Sequence, residues 1–257
     1  MPPIKDQNIL VIGGSSGIGA AVAKLAAAEG ANVYIASSNK ARVDAAVKKI
    51  QDAVPNARIQ GYVCDVNHDD VESSLEKLFA DVTADAGQSL DHIVYTANSL
   101  NVRPVSAVSV SYLRENVQFG YVVPFIIAKL APRYVKQSYT SSLIFTSGIV
   151  AERPMKGGAV VSGLASAIFG TVRGLALDLL PIRTNVVSPG AVKTEMLGKG
   201  EQLEQAAAVL AKSCLLRKIG TPEEVAEAYI YLMKDTNTTG SCVSTNGGAL
   251  IRDIELS

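Results

Sequence analysis

The sequence predicts an α/β protein: one doubly wound domain with a parallel seven-stranded sheet and helices on both faces. Three observations carry that prediction. Short apolar runs of strand length alternate with longer segments of helical period from one end of the chain to the other. The strand runs are apolar on consecutive residues, as suits a sheet covered on both faces. The 257 residues, 48% of them hydrophobic, suffice for one large core, and no linker, low-complexity stretch or internal repeat divides them.

The elements follow in order. NILVIGG (Asn8–Gly14) is the first buried strand. GIGAAVAKLAAAEG (Gly17–Gly30) is an Ala-rich helix stopped by Gly30. ANVYIASS is the second strand, and Lys40–Val54 a helix with Val43, Ala46, Val47 and Ile50 on one stripe. ARIQGYVCDV is the third strand, followed by a charged amphipathic helix from His68 to Ala86. LDHIVYTAN is the fourth strand; long helices then lead to SSLIFTSG (Ser141–Gly148), the fifth. A helix of small residues over about Gly158–Leu179 precedes IRTNVVSPG, the sixth. EEVAEAYIYLM is a closing helix and GSCVSTNGG a seventh strand. Between strand six and that helix, residues 195–220 are expected to form a helical lid over the substrate side, with an apolar face of Leu197, Leu203, Ala207, Leu210 and Leu215.

Charge and cysteine content exclude several classes. Lys plus Arg and Asp plus Glu each number 24, so nothing draws the chain to nucleic acid or an anionic membrane. Cys64, Cys214 and Cys242 are far apart, and no CxxC or Cys/His cluster occurs, so buried reduced thiols are expected rather than disulfides or a metal site. The N-terminus enters a strand without a basic leader, and no stretch reads as long and apolar enough to span a bilayer. A soluble, cytoplasmic protein is the expectation.

The first turn carries the chemistry of nucleotide binding. GGSSGIG (Gly13–Gly19) joins the first strand to the first helix. Gly13 permits the tight turn, Gly17 lets backbone approach a phosphate, and Gly19 lets helix pack on strand. Ser15, Ser16 and Ile18 complete the loop, and the helix N-terminus offers free N–H groups to a diphosphate. At the end of the second strand an acidic residue would favour a ribose 2′-hydroxyl. Here Ser37, Ser38 and Asn39 stand instead, with Lys40 and Arg42 following, which favours the 2′-phosphate of NADP(H).

With the later landmarks, nearly the whole chain resembles the short-chain dehydrogenase/reductase family, a Rossmann-type fold. CDV (Cys64–Val66) is similar to the family's adenine-contacting pair and assigns Asp65 and Val66. YTAN (Tyr95–Asn98) occupies the place of Asn-Asn-Ala-Gly, and assigns Ala97 and Asn98 to the cofactor cleft. NVVSPGAVKTEM (Asn185–Met196) resembles Asn-x-x-x-Pro-Gly-x-x-x-Thr, which implies that Pro189, Gly190, Val192 and Thr194 line the nicotinamide end. TGSCVSTNGG resembles the closing strand, with Asn246 for Asp.

One landmark departs. The family uses Ser, Tyr and Lys, and Ser147 matches the serine. Aligned through SAIFGTVRGLALDL, the tyrosine position falls on Val161 and the lysine position on Ala165. No Tyr occurs between Tyr139 and Tyr229, and the nearby Lys156 precedes the helix. Asn116 or Phe119 falls at the family's helical asparagine. Ordinary carbonyl reduction must neutralise an alkoxide, and a tyrosine activated by an ammonium does so; Val161 and Ala165 cannot. Three readings follow: NADPH-dependent reduction of a hydrophobic imine or iminium, which needs no such relay; a non-redox cyclisation or isomerisation beside the cofactor; or a binding protein that catalyses nothing. RPMKGG and the segment from Gly170 to Val192 resemble a group of fungal homologues that lack the Tyr and Lys. Some of these couple iminium reduction to a Diels–Alder cyclisation in alkaloid biosynthesis.

Ser147 and Tyr95 are the candidate catalytic residues: Ser147 could orient a heteroatom, and Tyr95 could stack or offer a phenol, or be a core residue. Glu152, Arg153 and Lys156 lie near the cleft mouth, and the polar Ser162 and Ser166 on the helix behind it. His68 and His92 have no partners that suggest catalysis. By resemblance, helices in 108–135 and after Gly158 meet their counterparts in a homodimer or homotetramer, with Gly163, Ala165, Ala167 and Gly170 allowing close approach.

Overall fold

The computed structural model describes residues 1–98 and 101–251. Seven strands form one sheet in the order β3-β2-β1-β4-β5-β6-β7. They are β1 (Asn8–Ile12), β2 (Asn32–Ser37), β3 (Arg58–Val63), β4 (His92–Tyr95), β5 (Ser142–Thr146), β6 (Arg183–Pro189) and β7 (Cys242–Thr245). Every neighbouring pair is parallel. The crossover helices are α1 (Gly17–Ala28), α2 (Lys40–Ala53), α3 (Val71–Ala86), α4 (Val110–Val117), α5 (Val123–Tyr134), α6 (Ala159–Asp178), α7 (Gly200–Ala211) and α8 (Pro222–Lys234).

Strand geometry explains the two cores. Successive side chains point to opposite faces. Leu10, Ile12, Ile93 and Phe145 pack in one buried cluster with residues of α3, α5 and α6. Ile9, Val11, Val94 and Ile144 pack in another with residues of α1, α2 and α8. β1, β4 and β6 are therefore buried on every residue; β1 reads as an apolar run, whereas β4 and β6 also bury His92, Arg183, Thr184, Asn185 and Ser188. β3 differs: it is an edge strand, largely exposed. The stripe on α2 holds, with Val43, Ala46 and Ile50 buried. A capping box between Thr221 and Glu224, with Pro222 at the first helical position, starts α8 where the sequence changes period.

Three expectations change. Cys64 and Cys214 are buried, but Cys242 is exposed on β7, an edge strand of the sheet. α4 and α5 are joined by a π-helical turn, Gln118–Val122, which the periodicity did not signal. And α6 is 20 residues with mean hydropathy 1.6, long and apolar enough to cross a membrane by length and composition, contrary to the sequence expectation. Gly163, Ala165, Ala167 and Gly170 of this helix were expected at helix–helix contacts. In the fold one face packs on β5 and β6 and another, including the 76%-exposed Leu177, points outward.

Candidate active site

Strand order reverses between β1 and β4, the switch point of a doubly wound sheet, where ligands bind beyond the strand C-termini. A cavity of about 740 Å³ opens there. Gly13, Ser15, Ser16, Gly17, Ile18 and Gly19 form one wall. Gly13 has φ +92°, and a Cβ on it would lie 2.5 Å from the Ala97 nitrogen. A Cβ on Gly19 would lie 2.3 Å from the Gly13 carbonyl oxygen, so helix and strand touch through backbone. Gly17 has φ +52°, and a Cβ on it would lie 3.3 Å from Thr194 Cγ2. Ser16 precedes α1 without spending its side chain on the cap. Bare backbone, a free hydroxyl and a positive helix end converge on one space, and a diphosphate fits that donor set.

The adenosine end is built from β2 and β3. Ser37, Ser38, Cys64, Asp65 and Val66 line the cavity, and so does Arg42, whose Nη2 donates to Ser38 Oγ at 3.4 Å. Lys40 and Asn39, also expected at the cofactor, have partners on α2. Lys40 pairs with Asp44 one helical turn on, at 2.7 Å, and Asn39 Oδ1 accepts the Arg42 N–H at 3.0 Å as the cap of α2. Neither lines the cavity. A helix start turns successive side chains by about 100°, so Arg42 and Lys40 diverge. Asp65 Oδ1 accepts the Asn67 N–H at 2.9 Å. Burial, then the Asp65 charge, pushes the Cys64 thiol up to about 11, so it stays protonated.

Ala97, Asn98, Pro189, Gly190, Val192 and Thr194 all line the cavity. Gly190 is close-fitted: a Cβ there would meet Asn246 Cα at 2.8 Å.

The far half is apolar. Val161, Leu164, Ala165 and Ile168 of α6 form its back wall, facing Ile149, Val150 and Met155. The lid contributes Glu195, Met196, Leu197 and Leu210. The ionisable side chains lining the whole cavity, among the described residues, are Arg42, Cys64, Asp65, Tyr95 and Glu195. No lysine or histidine is among them. Ser147 lines this half, but its hydroxyl donates to the Ala165 carbonyl at 2.7 Å, so its proton is engaged. Tyr95 is 4% exposed and donates its hydroxyl to the Phe119 carbonyl at 3.0 Å. Burial raises its pKa far above the ordinary phenol value. Of the three readings of Tyr95, the core residue fits its burial and the free phenol does not.

Further residues find structural partners. Arg153 Nη1 donates to the Ala249 carbonyl at 2.5 Å and the Ser213 carbonyl at 3.4 Å, tying the loop after β5 to the chain end and the lid base. Ser166 Oγ donates to the Ala151 and Ser162 carbonyls, both at 2.8 Å. Glu152, Lys156 and Ser162 lie outside the lining. Of the expected apolar face of the lid, Leu197 and Leu210 reach the cavity; Leu203 and Ala207 are half-buried outside it, and Leu215 is exposed. Ala165 faces the cavity, whereas Ala167, Gly170 and Gly174 line an outer groove with Tyr121 and Phe125.

Sequence reasoning missed Thr96, Gly120, Met196 and the α6 wall residues Leu164 and Ile168 as lining residues. The wall was legible: Val161, Leu164, Ala165 and Ile168 have the i, i+3, i+4, i+7 spacing of one helix face. Asn116 and Phe119 were weighed as alternatives, and the π turn brings both to the cavity.

Comparison with known proteins agrees with this geometry. Residues 3–252 match the family model of the SDR-like Rossmann domain. The short-chain dehydrogenase/reductase ATR9 of Stachybotrys chlorohalonatus is 47% identical, over 98% of this chain and 100% of the relative. The short-chain dehydrogenase/reductase fsr5 of Gibberella fujikuroi is 35% identical, over 95% of each. The solved structure of the MalC reductase/Diels–Alderase from Malbranchea aurantiaca superposes with a TM-score of 0.91 at 37% identity, covering 97% of both chains. The family and fold imply a nicotinamide cofactor, and the cradle at Gly13–Gly19 fits its diphosphate. The chain belongs to the short-chain dehydrogenase/reductase family.

Proposed function

We propose that the protein is an NADPH-dependent reductase whose substrate is a hydrophobic imine or iminium, reduced without a Tyr/Lys proton relay. One observation carries this reading: the wall of α6 presents Val161 and Ala165, and no lysine or histidine lines the cavity among the described residues. When bound, a nicotinamide cofactor supplies hydride. The chain's own part is to cradle the diphosphate at Gly13–Gly19, to meet a 2′-phosphate with Arg42, Ser37 and Ser38, and to exclude water with α6 and the lid. A carbonyl would leave an alkoxide facing hydrocarbon. A cationic carbon–nitrogen double bond leaves a neutral amine, and the apolar wall favours that loss of charge. Glu195, the acidic side chain on the lid side, favours a cation over an anion at the entrance.

The likeness to a protein described as a reductase/Diels–Alderase favours a second reading, cyclisation in the same pocket. A dry, shaped wall holds two reacting parts of one substrate close. NADPH absorbance separates the readings. Its loss with iminium substrates, and not with ketones or alcohols, supports reduction. Substrate turnover at constant absorbance supports cyclisation, and nucleotide binding without any turnover would leave a non-catalytic binder.

The segment 195–220 acts as the lid in this reading. NADPH should slow amide exchange across α7, and unchanged exchange there would remove the lid role. The outer face of α6 supports a homodimer or homotetramer: Gly170 and Gly174 leave open space for another helix. Gly170→Arg should shift the mass in solution to the monomer if that face is the contact.

A further inference from the structure

The π turn between α4 and α5 links the two halves of the cavity. In it the Val123 N–H donates to the Gln118 carbonyl, five residues back, instead of to Phe119. The next residue, Pro124, has no N–H to give. Neither N–H that could serve the Phe119 carbonyl inside the helix is therefore available, and such a carbonyl needs a partner. Tyr95 supplies it, 3.0 Å away from the end of β4. One residue earlier, Gln118 Nε2 donates to two carbonyls, Val66 and His68, at 2.9 Å each. Those carbonyls belong to the segment following β3, whose Asp65 and Val66 line the adenosine end. The turn is confined on its other side as well: Gly120 packs on α6 so closely that a Cβ there would lie 3.1 Å from Leu164 Cβ. Asn116, Phe119 and Gly120 all line the cavity.

We propose that Gln118 and Tyr95 are positioning residues that transmit occupancy of the adenosine end to the substrate wall. The inference rests on the nucleotide reading of the cavity. A ligand ordering Val66 fixes the carbonyls that Gln118 grips, and Gln118 carries the π turn with it. Phe119 and Gly120 then hold the wall at one spacing from Leu164. Tyr95 sets the turn's anchor on β4, and this gives its buried hydroxyl a function other than acid catalysis. Coupling between two sites is a free energy shared by both, so the substrate wall also acts back on the adenosine end.

The test uses a ligand that fills the adenosine end and is too short to touch the substrate wall. Adenosine 5′-monophosphate and adenosine 2′,5′-bisphosphate are titrated into the full chain, and amide exchange is followed over residues 116–124. In the wild type, saturation with whichever binds should slow exchange there by about fivefold or more, the lower range of measured couplings. Gln118→Met keeps the length and removes the donors. It should retain the adenylate affinity within about threefold, and protection of 116–124 should fall below about twofold. Tyr95→Phe should raise basal exchange of the same segment, while adenylate still slows it. Thermal unfolding of each variant checks that it is folded. Equal protection in wild type and Gln118→Met, or no protection in the wild type with adenylate bound, would overturn the coupling. Failure of both adenylates and of NADPH to bind would overturn the nucleotide reading beneath it, and the coupling with it.

Discussion

The two ends of the central strands bury ionisable groups on opposite terms. At the N-terminal end they are matched. His92 sits between Ser142 Oγ and Gln7 Oε1, each at 2.8 Å. Asp91 accepts the Asn8 N–H at 2.7 Å and pairs with Lys136 at 2.8 Å. Arg183 donates to the carbonyls of Tyr139, Leu232 and Met233. At the C-terminal end the α6 side of the cavity is hydrocarbon, with Ser147 bonded to the Ala165 carbonyl. The difference teaches where this chain invests charge. A buried charge costs several kcal/mol unless it is paired and hydrogen-bonded, and the chain pairs its charges where nothing reacts. The α6 wall at the other end carries no ionisable side chain into the cavity.

Restoring charge to the apolar end should have the largest effect. Val161→Tyr with Ala165→Lys would place a phenol and an ammonium on the cavity face of α6. Positioned acid catalysis contributes about 10²–10⁴-fold. NADPH-dependent ketone reduction should rise by at least about 100-fold over the wild type, measured by product formation. An unchanged ketone rate in a folded, NADPH-binding variant would show that the missing relay is not what limits carbonyl chemistry.

Next comes the glycine cradle. Gly19→Ala forces a Cβ to within 2.3 Å of a carbonyl oxygen. Overpacking of that kind costs about 3 kcal/mol, or roughly 100-fold in affinity if it falls on binding. NADPH fluorescence titration should show that loss. Tight binding by Gly19→Ala would break the assignment of the loop.

The matched end is tested by pH. Burial, reinforced by Arg183 and Lys136, holds His92 down at about 3. The unfolded chain takes up this proton near pH 6.5, whereas the native protein does so only near 3. The unfolded state therefore binds more protons between those values, and stability falls as pH drops. His92 alone should remove about 2 kcal/mol between neutral pH and about pH 5. Urea unfolding should show this loss, and His92→Gln should flatten it. An equal slope in that variant would contradict the assignment.

The smallest effect lies at the adenosine end. Arg42→Ala should weaken NADPH about tenfold, the worth of one charge-assisted contact, and leave NADH within about twofold. Lys40→Ala should change neither, since Lys40 is held by Asp44 on the helix surface. Equal losses of NADPH and NADH would sink the 2′-phosphate contact.

How much of this was legible in the sequence depends on how local the signal is. β1, the glycine loop and α1 announce themselves because Gly13, Gly17 and Gly19 each answer a local backbone demand. Val161 and Ala165 were placed through the family likeness of SAIFGTVRGLALDL, and the helix period then puts Leu164 and Ile168 on the same face. Lys40 and Arg42 could not be told apart, since two residues of helix rotation decide which one faces the cavity. The π turn was hidden because the departure from helical period is one residue long; Pro124 after QFGYVV was the available clue. The role of Tyr95 needed the fold, because its partner Phe119 lies on a different element.

The central claim is that a hydrocarbon wall selects a substrate that accepts hydride without a proton. The direct measurement is a single-turnover reaction of the enzyme–NADPH complex with a matched pair: a hydrophobic cyclic iminium and the ketone of the same ring skeleton. NADPH oxidation with formation of the amine from the iminium is expected, and no alcohol from the ketone. Ketone reduction as fast as iminium reduction would contradict it.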